Sequence, residues 1–104
     1  MDAFEAIKVC TGFEWDAHNA VKIWGRHKVT PVECEQMFFN RPLAANEDAK
    51  HSDNERRFYA LGRTDSGRLL FTVFTVRSNK VRVISARDMS RKERKIYEDF
   101  EAQE

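Results

Sequence analysis

The stretch Val81-Arg82-Val83-Ile84-Ser85-Ala86-Arg87-Asp88-Met89-Ser90-Arg91-Lys92-Glu93-Arg94-Lys95-Ile96-Tyr97 joins a strand to a basic helix through a corner. Its first seven residues are rich in β-branched side chains. A period of two sets Val81, Val83, Ser85 and Arg87 on one face, with Arg82, Ile84 and Ala86 opposite. Each face therefore mixes apolar residues with a guanidinium. Ser90, followed three residues later by Glu93, is a capping box that starts a helix near Arg91, with Met89, Ile96, Tyr97 and Phe100 at inward spacing. Glu93 shares that stripe, and an acid among apolar helix positions calls for an arginine partner, which Arg82 or Arg87 can supply.

Working outward, Ser78-Asn79-Lys80 turns the chain back into this strand from Arg68 to Arg77, of which Leu69 to Val76 is apolar almost throughout. Such a strand is covered on both faces or nearly so, and belongs at the centre of a sheet. Thr64-Asp65-Ser66-Gly67 is a hairpin turn, preceded by a strand over Arg57 to Arg63. Upstream, Leu43 to Asn54 is polar and without periodicity, and reads as a mobile loop ended on its N-terminal side by Asn40-Arg41-Pro42. Thr30, Pro31 and Glu33 open a short helix with Cys34, Met37 and Phe38 inward. Asp16 caps another, whose Ala17, Ala20, Val21, Trp24 and His27 form its expected inward stripe as far as Lys28. Phe13-Glu14-Trp15 is a short extended piece, and residues 1 to 12 are a frayed lead or an edge strand. The expected class is α+β, a small antiparallel sheet flanked by helices in the order α-α-β-β-β-α, with a possible short N-terminal strand. One face lies under helices and the other is partly open.

At 104 residues the chain is expected to form a single domain over 1–104 that folds without disulfides. Two cysteines are too few for a staple framework, and no secretory leader or membrane-length apolar run is apparent, so the cytoplasm is the expected location. The net charge of +1 hides a segregation. Residues 1 to 53 hold six Lys/Arg against nine Asp/Glu, residues 54 to 95 twelve against four, and residues 96 to 104 none against four. A basic, arginine-rich sheet suits phosphates, because guanidinium forks bind oxyanions in bidentate geometry. The bland alternative is a solvated face whose charges are offset elsewhere.

Cleaving a phosphodiester without a metal needs a base, cations for the charge building on phosphorus, and an acid for the leaving oxygen. In RNA the neighbouring 2′-hydroxyl attacks. Arginine serves the cationic role but is a poor base, since it stays protonated at neutral pH. Proton transfer falls to His27, with Glu55 and Tyr97 as further candidates, although a last-turn histidine can also serve only the helix macrodipole. His18, His27 and His51 fit no paired metal-ligand spacing, the cysteines are 24 apart, and no P-loop or nucleophile elbow is present. Neither a metal nor a cofactor is expected. Tyr59 or Phe58 offers a ring for base stacking, or packs in the core. Arg82, Arg87 and Glu93 form either part of a site or a structural ion-pair network.

Phe13-Glu14-Trp15-Asp16, Arg26-His27 with Val29-Thr30, Phe39 with Pro42, Glu55 and Arg57 with Gly62, Gly67-Arg68-Leu69-Leu70, and Ile84-Ser85-Ala86-Arg87 with Glu93-Arg94 and Tyr97 resemble the BrnT toxin family of bacterial BrnT/BrnA toxin-antitoxin pairs. The resemblance runs from Phe13 to about Glu98. It implies a RelE-like fold carrying a metal-independent endoribonuclease that blocks translation by cutting RNA. It also implies a BrnA-like antitoxin partner, with DNA bound only through that antitoxin. No membrane contact is expected, since no apolar run is long enough to cross a bilayer. A dimeric antitoxin is expected to bring two toxins into a heterotetramer of two toxins and two antitoxins. Carried onto this chain, the catalytic candidates are His27, Glu55, Arg57, Arg82, Arg87 and Tyr97. Arg26, Lys28, Arg63, Arg77 and Arg91 are candidates for RNA binding. Ala17, Ile23 and Lys28 depart from the family's usual Asp-Pro, Asn and Lys-His-Gly. The rival to an enzyme is a non-catalytic module that binds RNA or an antitoxin through the same sheet. A weaker third reading is an orphan domain whose basic face only docks an acidic antitoxin segment.

Overall fold

Leu69–Arg77 contains two threonines and no glycine or proline among large apolar residues, and it forms the central strand of a five-stranded sheet. The computed structural model describes residues 2–103. In chain order the elements are α1 (Ala3–Lys8), β1 (Gly12–Phe13), α2 (Ala17–His27), α3 (Pro31–Phe39), β2 (Ala44–Glu47), a 3-10 turn (Ala49–His51), β3 (Phe58–Arg63), β4 (Leu69–Arg77), β5 (Lys80–Asp88) and α4 (Arg91–Ala102). The strand order is β1-β5-β4-β3-β2. The fold is α+β, as expected, with β3, β4 and β5 in an antiparallel meander. The sheet is mixed rather than antiparallel throughout, because β1 runs parallel to β5 at its edge. No helix among the described residues is long and apolar enough to cross a membrane.

Local chemistry explains most element ends. Asp16, Thr30 and Ser90 cap α2, α3 and α4, each in a reciprocal capping box with the residue three positions on, and Pro31 occupies the first turn of α3. Two segments differ from the sequence reading. Residues 3–8 form a helix, not a frayed lead or strand: Asp2 accepts a bond from the Glu5 amide at 2.9 Å, and small Ala3 and Ala6 let the short helix sit close to the core. The expected mobile loop contains β2, an edge strand paired with β3, followed by the 3-10 turn. Edge strands tolerate polar residues, so composition concealed it.

One sheet face is covered by α1, α2 and α3. Phe58 and Ala60 of β3, Leu70, Thr72 and Phe74 of β4, and Val81, Val83 and Ala86 of β5 are buried there with Ala3, Ala6, Ile23, Cys34 and Met37. The Thr72 hydroxyl donates to the Met37 sulfur at 2.9 Å. The other face is half covered. Met89 and Tyr97 join Leu61 there, with Leu69, Phe71 and Ala44 packed around them, and α4 lies over that end. The rest of this outer face stays open.

Two rotations separate the structure from the periodicity. In β5 the register slips between Val73 and Phe74 of the partner strand, which face Ser85 and Val83, so Ile84 is a bulged extra residue. The alternation inverts across it. Val81, Val83 and Ala86 all point to the core, and Arg82, Ser85 and Arg87 share the open face, where a strict period of two had set the arginines on opposite sides. Helix α2 is turned as well. Its buried residues are Asn19 and Ile23, while Val21 and Trp24 are 66% and 50% exposed and His27 is exposed too. Asn19 wins the inner position because its amide donates to the carbonyls of Glu14 and Val83, both at 3.2 Å, and its oxygen accepts the Asp16 amide. A polar residue that satisfies buried carbonyls outcompetes an apolar one that leaves them unmet.

Candidate active site

Because of the bulge, Arg82 and Arg87 stand on one face of one strand, five residues apart. Near the C-terminal end of β5, Arg87 makes a bidentate pair with Glu93 at 2.8 and 3.0 Å, the partner expected for an acid in the α4 stripe. Its guanidinium lies 4.3 Å over the Phe71 ring, and Phe71 stacks on Tyr59 at 5.9 Å with the planes 23° apart. The arginine bonds hold the Glu93 carboxyl below its ordinary range. Phe58, the other aromatic candidate, is core: it points to the helix-covered face and stacks on Phe74.

The opposite end of the face is a second charged group. Arg82, whose side chain is only 14% exposed, bonds Glu14 at 2.9 Å and the capping residue Asp16 at 3.1 Å. Arg77 grips Glu55 with two bonds of 2.7 and 3.1 Å, which hold the Glu55 carboxyl down, with smaller help from Arg57 and Arg82. The Thr75 hydroxyl donates to the Arg56 carbonyl and ties the approach to β3 onto the sheet. Arg57 faces the same side as Tyr59 by alternation. Among the described residues its guanidinium has no carboxylate within ion-pair distance, whereas Arg56, Arg63, Arg68, Arg77, Arg82 and Arg87 all have one.

His27 lies at the Arg87 end of the sheet, but on the side that α2 covers. It sits at the C-terminus of α2 beside Asp88, and Arg68 organises both. Arg68 bonds Asp88 at 2.7 and 3.2 Å, Glu33 at 3.2 and 3.3 Å, and the carbonyls of Lys28 and His27 at 2.8 and 3.1 Å. Arg68 thus closes the helix end and joins α2, α3, β4 and β5, yet as a lone arginine after a turn it carried no sequence signal for this. Asp88 is paired in register with Leu70 of β4, and Arg77 lies seven residues further along that strand. At about 3.3 Å per residue the His27 and Glu55 ends are about 20 Å apart.

The remaining candidates scatter. Tyr97 is buried and its hydroxyl donates to the Pro42 carbonyl at 2.6 Å, holding α4 to the chain beyond α3. Arg63 pairs with Glu101 of α4 under the covered end. Lys28 lies over the Trp24 ring, Arg26 lines the outer side of α2, and Arg91 is exposed at the start of α4. Cys34 is fully buried, and burial pushes its thiol up to about 12, so it is not a nucleophile. Among the described residues no three His, Cys, Asp or Glu side chains gather as a metal site.

The geometry is therefore a half-open, arginine-bearing sheet face with two aromatic rings at its middle. A family model described as "Ribonuclease toxin, BrnT, of type II toxin-antitoxin system" matches residues 15–93. The chain belongs to the BrnT family. The match spans α2 through the first turn of α4, and so contains the whole sheet apart from β1. No curated protein matches the chain. Membership in a type II system brings an RNA substrate and an antitoxin partner with it.

Proposed function

We propose that this chain is a BrnT toxin that cleaves RNA on the open half of its sheet, by attack of the 2′-hydroxyl on the adjacent phosphate and without a metal ion. The observation that carries this reading is the β5 bulge, which sets Arg82 and Arg87 on the open face with Arg77, Arg57, Tyr59 and Phe71. Guanidinium groups on a partly desolvated surface stabilise the dianionic phosphorane, and the rings offer stacking faces to unpaired bases. Glu55, held by Arg77 on the open face, is the proton-transfer candidate that this face carries, whereas His27 lies at the end of α2 about 20 Å away. Cutting RNA in this way inhibits translation. A BrnA-like antitoxin neutralises the toxin by covering part of the sheet or α4, and an antitoxin dimer brings two toxins into a heterotetramer. The α+β layering, with the β3–β5 meander closed by α4, supports a RelE-like grouping.

The test is cleavage of a labelled single-stranded RNA in excess EDTA, with end-group analysis and with Arg87→Ala alongside. Cyclic-phosphate or 3′-phosphate ends from wild type, lost in the folded variant, are expected. Intact RNA under every condition, ribosomes included, defeats the reading. A second reading has one observation in its favour, namely that Arg77, Arg82 and Arg87 are already neutralised by carboxylates. It makes the chain a binding module, in which case RNA is retained in a salt-dependent manner but not cut.

A further inference from the structure

An acid and a base that serve one phosphodiester flank one phosphate, so both lie within hydrogen-bond reach of it. His27, at the end of α2 on the helix-covered side, and Glu55, paired with Arg77 on the open face, are about 20 Å apart along β4 and do not meet that requirement as a pair. A third histidine shares a cleft with Glu55. His51, on the 3-10 turn, lines a cleft of about 370 Å³ with Asp53, Asn54, Glu55 and Arg57. Its Nδ1 lies 3.0 Å from Asp48 Oδ2 and 3.2 Å from Oδ1, an orienting contact that leaves Nε2 without a hydrogen bond among the described residues. The segment that carries it is closed on itself. The Asp48 amide donates to the Arg57 carbonyl at 2.8 Å, the Ser52 hydroxyl donates to the Asp48 carbonyl at 2.6 Å, and the Arg57 amide donates to the Ser52 hydroxyl at 2.9 Å.

The cleft thus gathers an imidazole held by the Asp48 carboxylate, an ionised carboxylate held by Arg77, and the Arg57 guanidinium, which among the described residues has no carboxylate within ion-pair distance. We infer that His51 and Glu55 are the acid and base of the ribonuclease reaction, with the scissile phosphate of an RNA strand on Arg57. The inference rests on the ribonuclease reading and locates its chemistry. In the step, the 2′-hydroxyl gives its proton to the Glu55 carboxylate and its oxygen bonds phosphorus. The P–O5′ bond breaks, and the 5′-oxygen takes the proton from Nε2 of the protonated His51 imidazole. The products are a 2′,3′-cyclic phosphate and a 5′-hydroxyl; Glu55 leaves the step protonated and His51 neutral, and exchange with solvent restores both. Asp48 is a positioning residue that holds the ring through Nδ1.

The experiment uses the full chain and a labelled single-stranded RNA in excess EDTA, with His51→Ala, Asp48→Asn and, as a control, His18→Ala, an exposed histidine at the start of α2. Loss of a general acid costs on the order of 100-fold or more in kcat with little change in KM. That loss is expected of His51→Ala. Asp48→Asn is expected to lower kcat with KM unchanged, and His18→Ala to behave as wild type. A second substrate separates chemistry from structure, namely RNA with a bridging 5′-sulfur at the cut site, whose thiolate departs without a proton. It is expected to restore most of the His51→Ala rate. Wild-type cleavage rates from His51→Ala, or no rescue by the sulfur substrate, overturn the inference while leaving the ribonuclease reading standing. A wild-type protein that cuts no RNA removes both.

Discussion

Replacing Arg68 with alanine is expected to cost the fold about 3 kcal/mol. The side chain is 23% exposed and its guanidinium serves three attachments: the Asp88 carboxylate, the Glu33 carboxylate, and the two carbonyls at the end of α2. A net charge-assisted hydrogen bond contributes about 1.5 to 3 kcal/mol when sheltered and well below that when exposed. Asp88 is the more exposed partner, so about 1 kcal/mol for each attachment is a discounted figure. Unfolding entropy near 60 °C is about 2.1 cal/mol/K per residue, or about 0.2 kcal/mol/K for this chain, so the melting temperature falls by about 14 °C. The same variant changes the response to acid. Arg68 holds Asp88 below its ordinary value, and for Glu33 burial pushes upward but the Thr30 and Arg68 bonds outweigh it. Carboxyls depressed in the folded state add stability that is present above the unfolded pKa of about 4 and lost as pH falls through the folded values. Wild type therefore loses stability below pH 4, and Arg68→Ala loses less over the same range. Thermal unfolding followed by circular dichroism at pH 7 and pH 3 measures both effects. A fall of under about 4 °C at pH 7, or an unchanged acid slope, would refute the view of Arg68 as the clasp between four elements.

Three further outcomes follow from single contacts. Tyr97→Phe removes the donor to the buried Pro42 carbonyl and is expected to destabilise by about 1 to 2 kcal/mol in urea titrations, with RNA cleavage intact. Gly62→Ala sets a methyl group 3.0 Å from the Met37 carbonyl oxygen and 3.3 Å from Leu43, and since the nearest atom is backbone, a loss of about 1 to 3 kcal/mol is expected in the same assay. Glu93→Gln releases Arg87 from its bidentate partner, so RNA affinity measured by anisotropy at low salt is expected to rise while stability falls; unchanged affinity would remove Arg87 from the RNA surface.

What the sequence by itself determined is what neighbouring residues decide. The three helix starts follow from a capping side chain and its partner three positions on, and the meander follows from apolar runs and turn residues, so both were legible. The α+β class, the half-open sheet, the Glu93–arginine pair and the family resemblance were legible as well. What only the tertiary structure decided depends on contacts between distant segments. The slip at Ile84 is set by the register against Val73 and Phe74, and it moves Arg82 and Arg87 to one face. The rotation of α2 is set by carbonyls of Glu14 and Val83 that Asn19 satisfies, and it turns His27 outward. Residues 44 to 51 carry no period because an edge strand and a single 3-10 turn need none. Folded against Arg57 and Ser52, they set His51 in one cleft with Glu55, two residues whose spacing in the chain marks no motif. Periodicity reports which side of an element is apolar, whereas which polar groups find each other is settled by hydrogen bonds that close only when the sheet is assembled.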